Sequence, residues 1–184
     1  DLTGGKAFSG IQRKDSNMKF ILRTLTALFF LAVLQHGHAT LKADVIWNEA
    51  VDGDLSTVPA SPTALGFANG VNTVIASVSE PTGDLRDYIT FTIGPNQLLT
   101  AIFLDAFSPA GASFHALIAG STGLVPGEDP SGDFLGLELV FDSQVGTDLL
   151  PGLAAGNFGS TGFAAPLGPG TYTYLFQELT GGQS

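Results

Sequence analysis

Two short polar segments carry four aspartates, a residue type that hard cations bind well. Asp52 and Asp54 stand on either side of a glycine, and Asp84 and Asp87 come just before or at the start of a run of alternating apolar residues. Ca²⁺ accepts roughly six to eight oxygen ligands, carboxylates among them, in irregular loops. These residues have two interpretations: solvated loop carboxylates, as most such groups are, and a calcium site formed by Asp52, Asp54, Asp84 and Asp87.

The segment that begins at Asp52 is not an EF-hand loop. Thr57 and Thr63 stand at its sixth and twelfth positions, where that loop needs Gly and Glu. A third acidic group lies in a segment rich in Gly and Pro and has the same two interpretations, a cation site or solvated side chains; its members are Glu128, Asp129 and Asp133.

The chain has few of the side chains, Cys and His above all, that commonly act in catalytic sites. There is no cysteine, and beyond the first forty residues His115 is the one histidine. A catalytic triad would have to use His115, yet no Gly-x-Ser-x-Gly elbow occurs. One histidine without cysteine also disfavours a zinc site, and no phosphate-binding glycine loop is present. We therefore predict that the protein is not an enzyme and that His115 is structural or faces solvent.

Carbohydrate chemistry is the alternative hypothesis, because the chain is rich in carboxylates that could pair for glycoside hydrolysis. A carbohydrate-active or carbohydrate-binding β-sandwich would expose an aromatic platform. The candidates for that platform are Trp47 and the pair Tyr172 and Tyr174.

Short runs of β type must position these side chains, and clusters of Gly, Pro, Asn and Asp separate the runs. The clearest run is 87–93, in which Ile89, Phe91 and Ile93 face one way. The run 97–107 is apolar on both faces, which predicts a central strand. Further strands are predicted at residues 45–47, 73–78, 114–119, 135–141 and 171–178.

Strands at this spacing, with no long helical pattern between them, predict an all-β fold, an antiparallel β-sandwich of jelly-roll type. The loop 145–170 is long enough to include a short helix at 148–154. Pro151 and Gly152 disfavour that helix, so both alternatives stay open.

Residues 18–39 have the three parts of a secretory signal peptide. Lys19 and Arg23 lie on the N-terminal side of an apolar stretch that runs through residues 25–34, and small residues then lead to a cleavage point after Ala39. The sequence therefore predicts a helical signal peptide and an exported protein, whether periplasmic, cell-surface or secreted.

The alternatives to this organisation are weaker. A membrane-spanning helix needs about 20 apolar residues, and the run ends at Gln35. Ala43 is a second cleavage position. Residues 1–17 have no sustained periodicity, and we interpret them as disordered upstream translation. One domain, residues 44–184, remains.

Charge and cysteine content restrict the partners of that domain. From Asp44 onward there are 15 acidic residues and one basic residue, Arg86, which gives a formal charge of −14. Nucleic acid and anionic membrane surfaces are excluded as partners, because both bind clustered Lys and Arg. No disulfide can form, so the fold depends on its apolar core.

Segments 51–56, 70–74, 87–93 and 168–172 together resemble a known module. The Asp-Tyr-x-x-Phe pattern of the third and the Gly-x-Gly-Thr-Tyr pattern of the fourth are similar to the pre-peptidase C-terminal (PPC) type of β-sandwich. That module occurs in exported bacterial proteins that carry a PEP-CTERM sorting tail. The resemblance covers the chain from Asp44 onward and implies a non-catalytic accessory or surface domain, without catalytic residues to carry over.

The end of the chain, Gly181 and Gly182 followed by two polar residues, is a turn sequence. Because a hairpin turn leads into a strand, we expect a further strand beyond Ser184, and any sorting tail after it. A sheet that lacks its last strand would self-associate through the open edge. The resulting hypothesis is an exported binding or structural module of the envelope or extracellular matrix, whose ligand is an unknown extracellular or matrix component, with no membrane span in the mature chain.

Overall fold

The computed structural model describes residues 43–78, 84–108 and 111–179, which belong to one compact unit. The predicted signal peptide at 18–39 and the segment 1–17 lie outside the described residues, as do the last five residues. Among the described residues there are seven strands: β1 (Ala43–Asn48), β2 (Thr63–Ala64), β3 (Val71–Ile75), β4 (Arg86–Ile93), β5 (Ala112–Ala119), β6 (Gly136–Phe141) and β7 (Gly170–Glu178). Two short α-helices, α1 (Glu49–Asp52) and α2 (Leu150–Ala154), accompany them.

The strands form two sheets, so the all-β prediction is confirmed. The larger sheet has the order β2-β4-β7-β5-β6, and the smaller sheet contains only β1 and β3. The central pairings β4–β7, β5–β7 and β5–β6 are antiparallel. The β1–β3 and β2–β4 pairings are parallel, so the prediction of a wholly antiparallel arrangement is wrong. Parallel pairing arises here because the chain crosses over between the strands instead of turning in a hairpin.

The two faces of the five-stranded sheet bury different apolar clusters. One cluster contains Ile89, Phe91 and Ile93 of β4 together with Leu117 and Tyr174, and parts of the small sheet pack against it. The other cluster lies on the opposite face and contains Tyr88, Ala116, Ile118, Phe134, Leu137 and Leu175. Since side chains alternate along a strand, β4, β5 and β7 each contribute to both clusters.

Most of the strand predictions are confirmed within one to three residues at either end. The prediction of a central strand at 97–107 is wrong. That segment makes only isolated bridges, Leu99 with Leu167 and Phe103 with Asp148, and Phe103 is 66% exposed. The segment is an extended loop, since no neighbouring strand pairs with it continuously. Its apolar residues lie on both sides because it contacts the loop 145–170.

The short helix left open at 148–154 is present as α2. Pro151 lies in its first turn, where a missing N–H costs nothing, so the proline does not prevent it. Asp148 Oδ1 accepts hydrogen bonds from the backbone N–H groups of Leu150 and Ile102, at 3.0 and 2.9 Å. This carboxylate therefore holds both the helix start and the segment 97–107.

Candidate functional site

The turn after β1 is built around the helix α1 and presents several carboxylates. Asn48 caps the helix, and its side-chain oxygen accepts from the Ala50 N–H at 3.1 Å. Asp52 Oδ2 accepts from the Asn48 N–H at 2.8 Å. Gly53 ends the helix at φ +93°, a conformation that favours glycine. The side chain of Asp52 is therefore engaged in closing the turn.

Three carboxylates form the acidic cluster, which we define as Glu49, Asp54 and Asp87. One oxygen of each lies within 4.8 Å of the others. Glu49 comes from α1, Asp54 from the loop after it and Asp87 from β4. The cluster therefore joins the end of the small-sheet strand β1 to the five-stranded sheet.

Glu49 is held in place by donors from two directions. Its Oε2 accepts from the backbone N–H and the hydroxyl of Ser77, at 2.6 and 3.0 Å, and its Oε1 accepts from the Leu55 N–H at 3.3 Å. Ser77 follows β3, 28 residues away in the chain. These bonds fix the Glu49 carboxylate, with an oxygen within 4.8 Å of oxygens of Asp54 and Asp87.

Asp87 is the most unusual member of the acidic cluster. The residue is 0% exposed, and neither of its carboxylate oxygens has a hydrogen-bond partner. One oxygen of the neighbouring Asp84 is also buried without a partner. A buried carboxylate without donors is costly, since burial removes the hydration of its charge and nothing replaces it.

The electrostatics of the acidic cluster follow from this burial. Desolvation, with added repulsion from Asp84, Glu49 and Asp54, raises the pKa of Asp87 from 3.8 to about 8. Desolvation and the charges of Asp54 and Glu49 raise the pKa of Asp84 to about 6. Asp87 therefore keeps its proton near neutral pH unless a cation compensates its charge, and among the described residues no protein cation does so.

A cation is the group that this arrangement fits. Two oxygens on opposite sides of a Ca²⁺ ion are about 4.8 Å apart, twice a bond of about 2.4 Å. The mutual separations within the acidic cluster meet that limit. The ligands are all hard oxygens, without the His or Cys that zinc prefers. Further oxygens would come from backbone carbonyls or water, as Ca²⁺ sites commonly use.

The four predicted ligands have different places in this site. Asp54 and Asp87 lie in the acidic cluster, and Asp84 lies close enough for its charge to raise the pKa of Asp87. Asp52 is not part of the three-residue cluster. Sequence reasoning missed Glu49. The signal that could have found it is its position one helical turn before Gly53 and directly after the capping residue Asn48.

His115 is buried, 8% exposed, and both of its ring nitrogens have partners. Nε2 lies 2.7 Å from the Ser113 hydroxyl, and Nδ1 lies 2.7 Å from the Tyr174 hydroxyl. A hydroxyl both donates and accepts, so either tautomer of the neutral ring is satisfied. Burial lowers the pKa of His115 to about 4. The histidine is thus a neutral bridge between β5 and β7.

A second partly buried carboxylate, Glu138, lies opposite His115 on β6. Its Oε1 accepts weakly from Gln144 at 3.5 Å, and its Oε2 is buried without a partner. Burial raises the pKa of Glu138. Gly152 lies against this carboxylate, and a Cβ at that position would collide with it. Glu138 does not belong to a group of three metal-ligating side chains among the described residues.

Of the aromatic residues considered for carbohydrate binding, Trp47 and Tyr172 are half-buried and Tyr174 is buried. The Trp47 indole N–H donates to the Gly53 carbonyl at 3.1 Å, and the Tyr172 hydroxyl donates to the Gly168 carbonyl at 3.0 Å. Tyr174 is buried against His115. A cavity of about 270 Å³ lies elsewhere, lined by Phe67, Ala68, Asn69, Gly70, Asn72, Thr92, Ile93, Asn96, Gln97, Leu98 and Leu99. No carboxylate lines this cavity.

In the third acidic group, Asp129 Oδ2 accepts from the Val125 N–H at 2.7 Å and closes a turn. Glu128 and Asp133 are exposed. This supports the interpretation of these residues as ordinary loop carboxylates.

No protein-family model, no curated protein and no solved structure matches this chain. Among the described residues, no helix is long and apolar enough to cross a membrane.

Proposed function

We propose that this chain is an exported, non-catalytic binding or structural module of β-sandwich form that binds Ca²⁺ at the acidic cluster of Glu49, Asp54 and Asp87. The ion would be a structural component of the module. The partner would be an extracellular or matrix component, as the acidic surface and the PPC-like segments predict.

The observation that carries the calcium proposal is the state of Asp87. A fully buried carboxylate without any donor, aimed at two other carboxylates, is destabilising unless a cation completes it. A divalent ion would replace the lost hydration, displace the proton that Asp87 keeps near neutral pH, and attract all three carboxylates.

Two further observations support the non-catalytic sandwich. Both faces of the five-stranded sheet are covered by apolar clusters, and the small sheet contributes Ile46, Trp47 and Val74 to one of them. The histidine best suited to catalysis is committed to hydrogen bonds inside the fold. These features favour a scaffold over an active site.

Thermal unfolding in about 1 mM CaCl₂ against chelator tests the calcium proposal. With a dissociation constant near 10 μM, saturation at 100 times that value stabilises the fold by about 2.7 kcal/mol, so the midpoint should rise. Asp87→Asn should lose most of that rise, and the exposed Asp133→Asn should retain it. An unchanged wild-type midpoint, with the same result for Mg²⁺, would contradict the proposal.

Export is tested separately by expression of the full chain in a bacterium with an intact secretion pathway. The protein recovered outside the cytoplasm should begin at Thr40, or at Asp44 if the second position is used. N-terminal sequencing or intact mass measures the start of the chain. Retention of residues 18–39 in the recovered protein would exclude the signal-peptide prediction.

A further inference from the structure

The small sheet, β1 and β3, has few polar links to the rest of the protein. The two strands pair only with each other, and among the described residues no backbone hydrogen bond connects either strand to the five-stranded sheet. Apolar contacts of Ile46, Trp47 and Val74 with the core supply most of the attachment. A side-chain bond from Gln97 to Asn69, at 2.7 Å, adds one polar link just before β3.

The acidic cluster lies where the small sheet meets β4. Glu49 directly follows β1 and bonds to Ser77 just after β3, so its carboxylate is fixed to both ends of the small sheet. Asp87 belongs to β4 of the larger sheet. The approach of the two sheets at this point therefore brings like charges together.

Whether the interaction between the two sheets at this point is favourable depends on whether a cation is present. Without one, ionisation of Asp87 would place a third negative charge beside Glu49 and Asp54, and both its burial and that repulsion oppose it. With one, the same oxygens share a doubly charged ion. The acidic cluster thus holds the small sheet against β4 most firmly when the ion is bound.

We propose that Ca²⁺ at the acidic cluster controls the attachment of the small sheet to the five-stranded sheet. This inference rests on the proposed function and assigns the ion a local effect. The bound ion fixes β1 and β3 against the core. Its removal lets these strands detach while β4, β5 and β7 keep their own backbone pairing.

Trp47 is the chain's one tryptophan and reports on this junction. Its indole N–H donates to the carbonyl of Gly53, between Asp52 and Asp54, and its ring packs against the core. Detachment of the small sheet would break that bond and expose the ring to water. The emission of Trp47 should therefore shift to the red when the ion is removed, at temperatures below global unfolding.

Amide hydrogen exchange of the full 184-residue chain, followed by mass spectrometry with about 1 mM CaCl₂ or with chelator, is the decisive measurement. Peptides that cover β1 and β3 should exchange about 100-fold more slowly with Ca²⁺, the factor expected at 100 times the dissociation constant. Peptides that cover β5 and β7 should change little under the same conditions. Asp87→Asn should abolish the difference and Asp133→Asn should preserve it, with far-UV circular dichroism to verify that both variants fold.

The outcomes separate this inference from the proposed function. A rise of the melting midpoint with Ca²⁺, together with uniform protection of all strands, would retain the site but overturn local control of the small sheet. No response of either the midpoint or exchange would overturn both. Selective protection of β1 and β3, with a shift of Trp47 emission, would support both.

Discussion

Two buried polar groups on the same face of the five-stranded sheet have opposite environments. Asp87 of β4 and His115 of β5 both lie opposite Phe176 of β7, so one strand separates them. Both ring nitrogens of His115 meet hydroxyls, whereas neither oxygen of Asp87 meets a donor. Burial alone therefore does not mark a functional group. Hydrogen-bond partners distinguish the two, and the calcium proposal rests on the unpartnered one.

The pKa shifts show the same contrast. The pKa of His115 falls from 6.5 to about 4 because burial disfavours its charged form, and Ser113 and Tyr174 satisfy the neutral ring. The pKa of Asp87 rises from 3.8 to about 8 because burial and neighbouring negative charges both disfavour its ionised form. Both groups are therefore neutral near pH 7, but hydrogen bonds satisfy only the histidine.

The largest expected effect is the pH dependence that Asp87 gives to stability in chelator. Its folded pKa is raised, so its contribution is fully present below pH 3.8 and is lost as pH rises toward 8. The free energy of unfolding of Asp87→Asn minus that of wild type should therefore increase by on the order of 4 kcal/mol between pH 4 and pH 8. Urea denaturation at each pH measures this difference. Ca²⁺ should make it smaller at pH 8, because the ion would stabilise the wild type and not the variant.

His115 should contribute a slope of the opposite sign. Its folded pKa is lowered, so its contribution is present above pH 6.5 and is lost as pH falls through about 4. The free energy of unfolding of His115→Gln, plotted against pH, should lack this loss on the acid side, whereas that of Asp87→Asn should retain it. This result would sharpen the contrast between the two buried groups. If the free energies of unfolding of wild type and both variants change with pH in parallel, the contrast between His115 and Asp87 is wrong.

A smaller effect is expected when the internal network around His115 is cut. His115→Leu leaves the hydroxyls of Ser113 and Tyr174 without their buried partner, which should lower the free energy of unfolding at pH 7 by about 2 to 4 kcal/mol. Tyr174→Phe removes one bond only and should cost less. Chemical denaturation measures both values, and the stabilisation by Ca²⁺ should be the same as in wild type.

The smallest effect is expected at Asp52, which tests whether the helix turn is separate from the acidic cluster. Asp52→Asn weakens one bond to the Asn48 N–H and should cost about 0.5 to 1 kcal/mol. The rise of the melting midpoint with Ca²⁺ should remain. A loss of that rise would place Asp52 among the ligands, as the sequence alone predicts.

The sequence determined the strands wherever alternation was strong. Residues 87–93 and 171–178 became β4 and β7 because one face of each had to be buried, and period-two apolar patterns leave little choice of register. The segment 97–107 could not be assigned in this way. Its apolar residues are needed for contacts with the loop 145–170, and a pattern without alternation does not distinguish such contacts from a strand.

For the acidic cluster, the sequence shows where aspartates are concentrated but not which carboxylates meet. Asp54 and Asp87 are among the aspartates that the sequence predicts to share a cation site, and the structure brings these two together. Only the tertiary structure brought Glu49 to them, because its position depends on a bond to Ser77 28 residues away and on the contact between two sheets. The depth of Asp87 and the lack of donors around it were likewise decided by packing, since burial depends on which elements cover a residue and local sequence does not encode that.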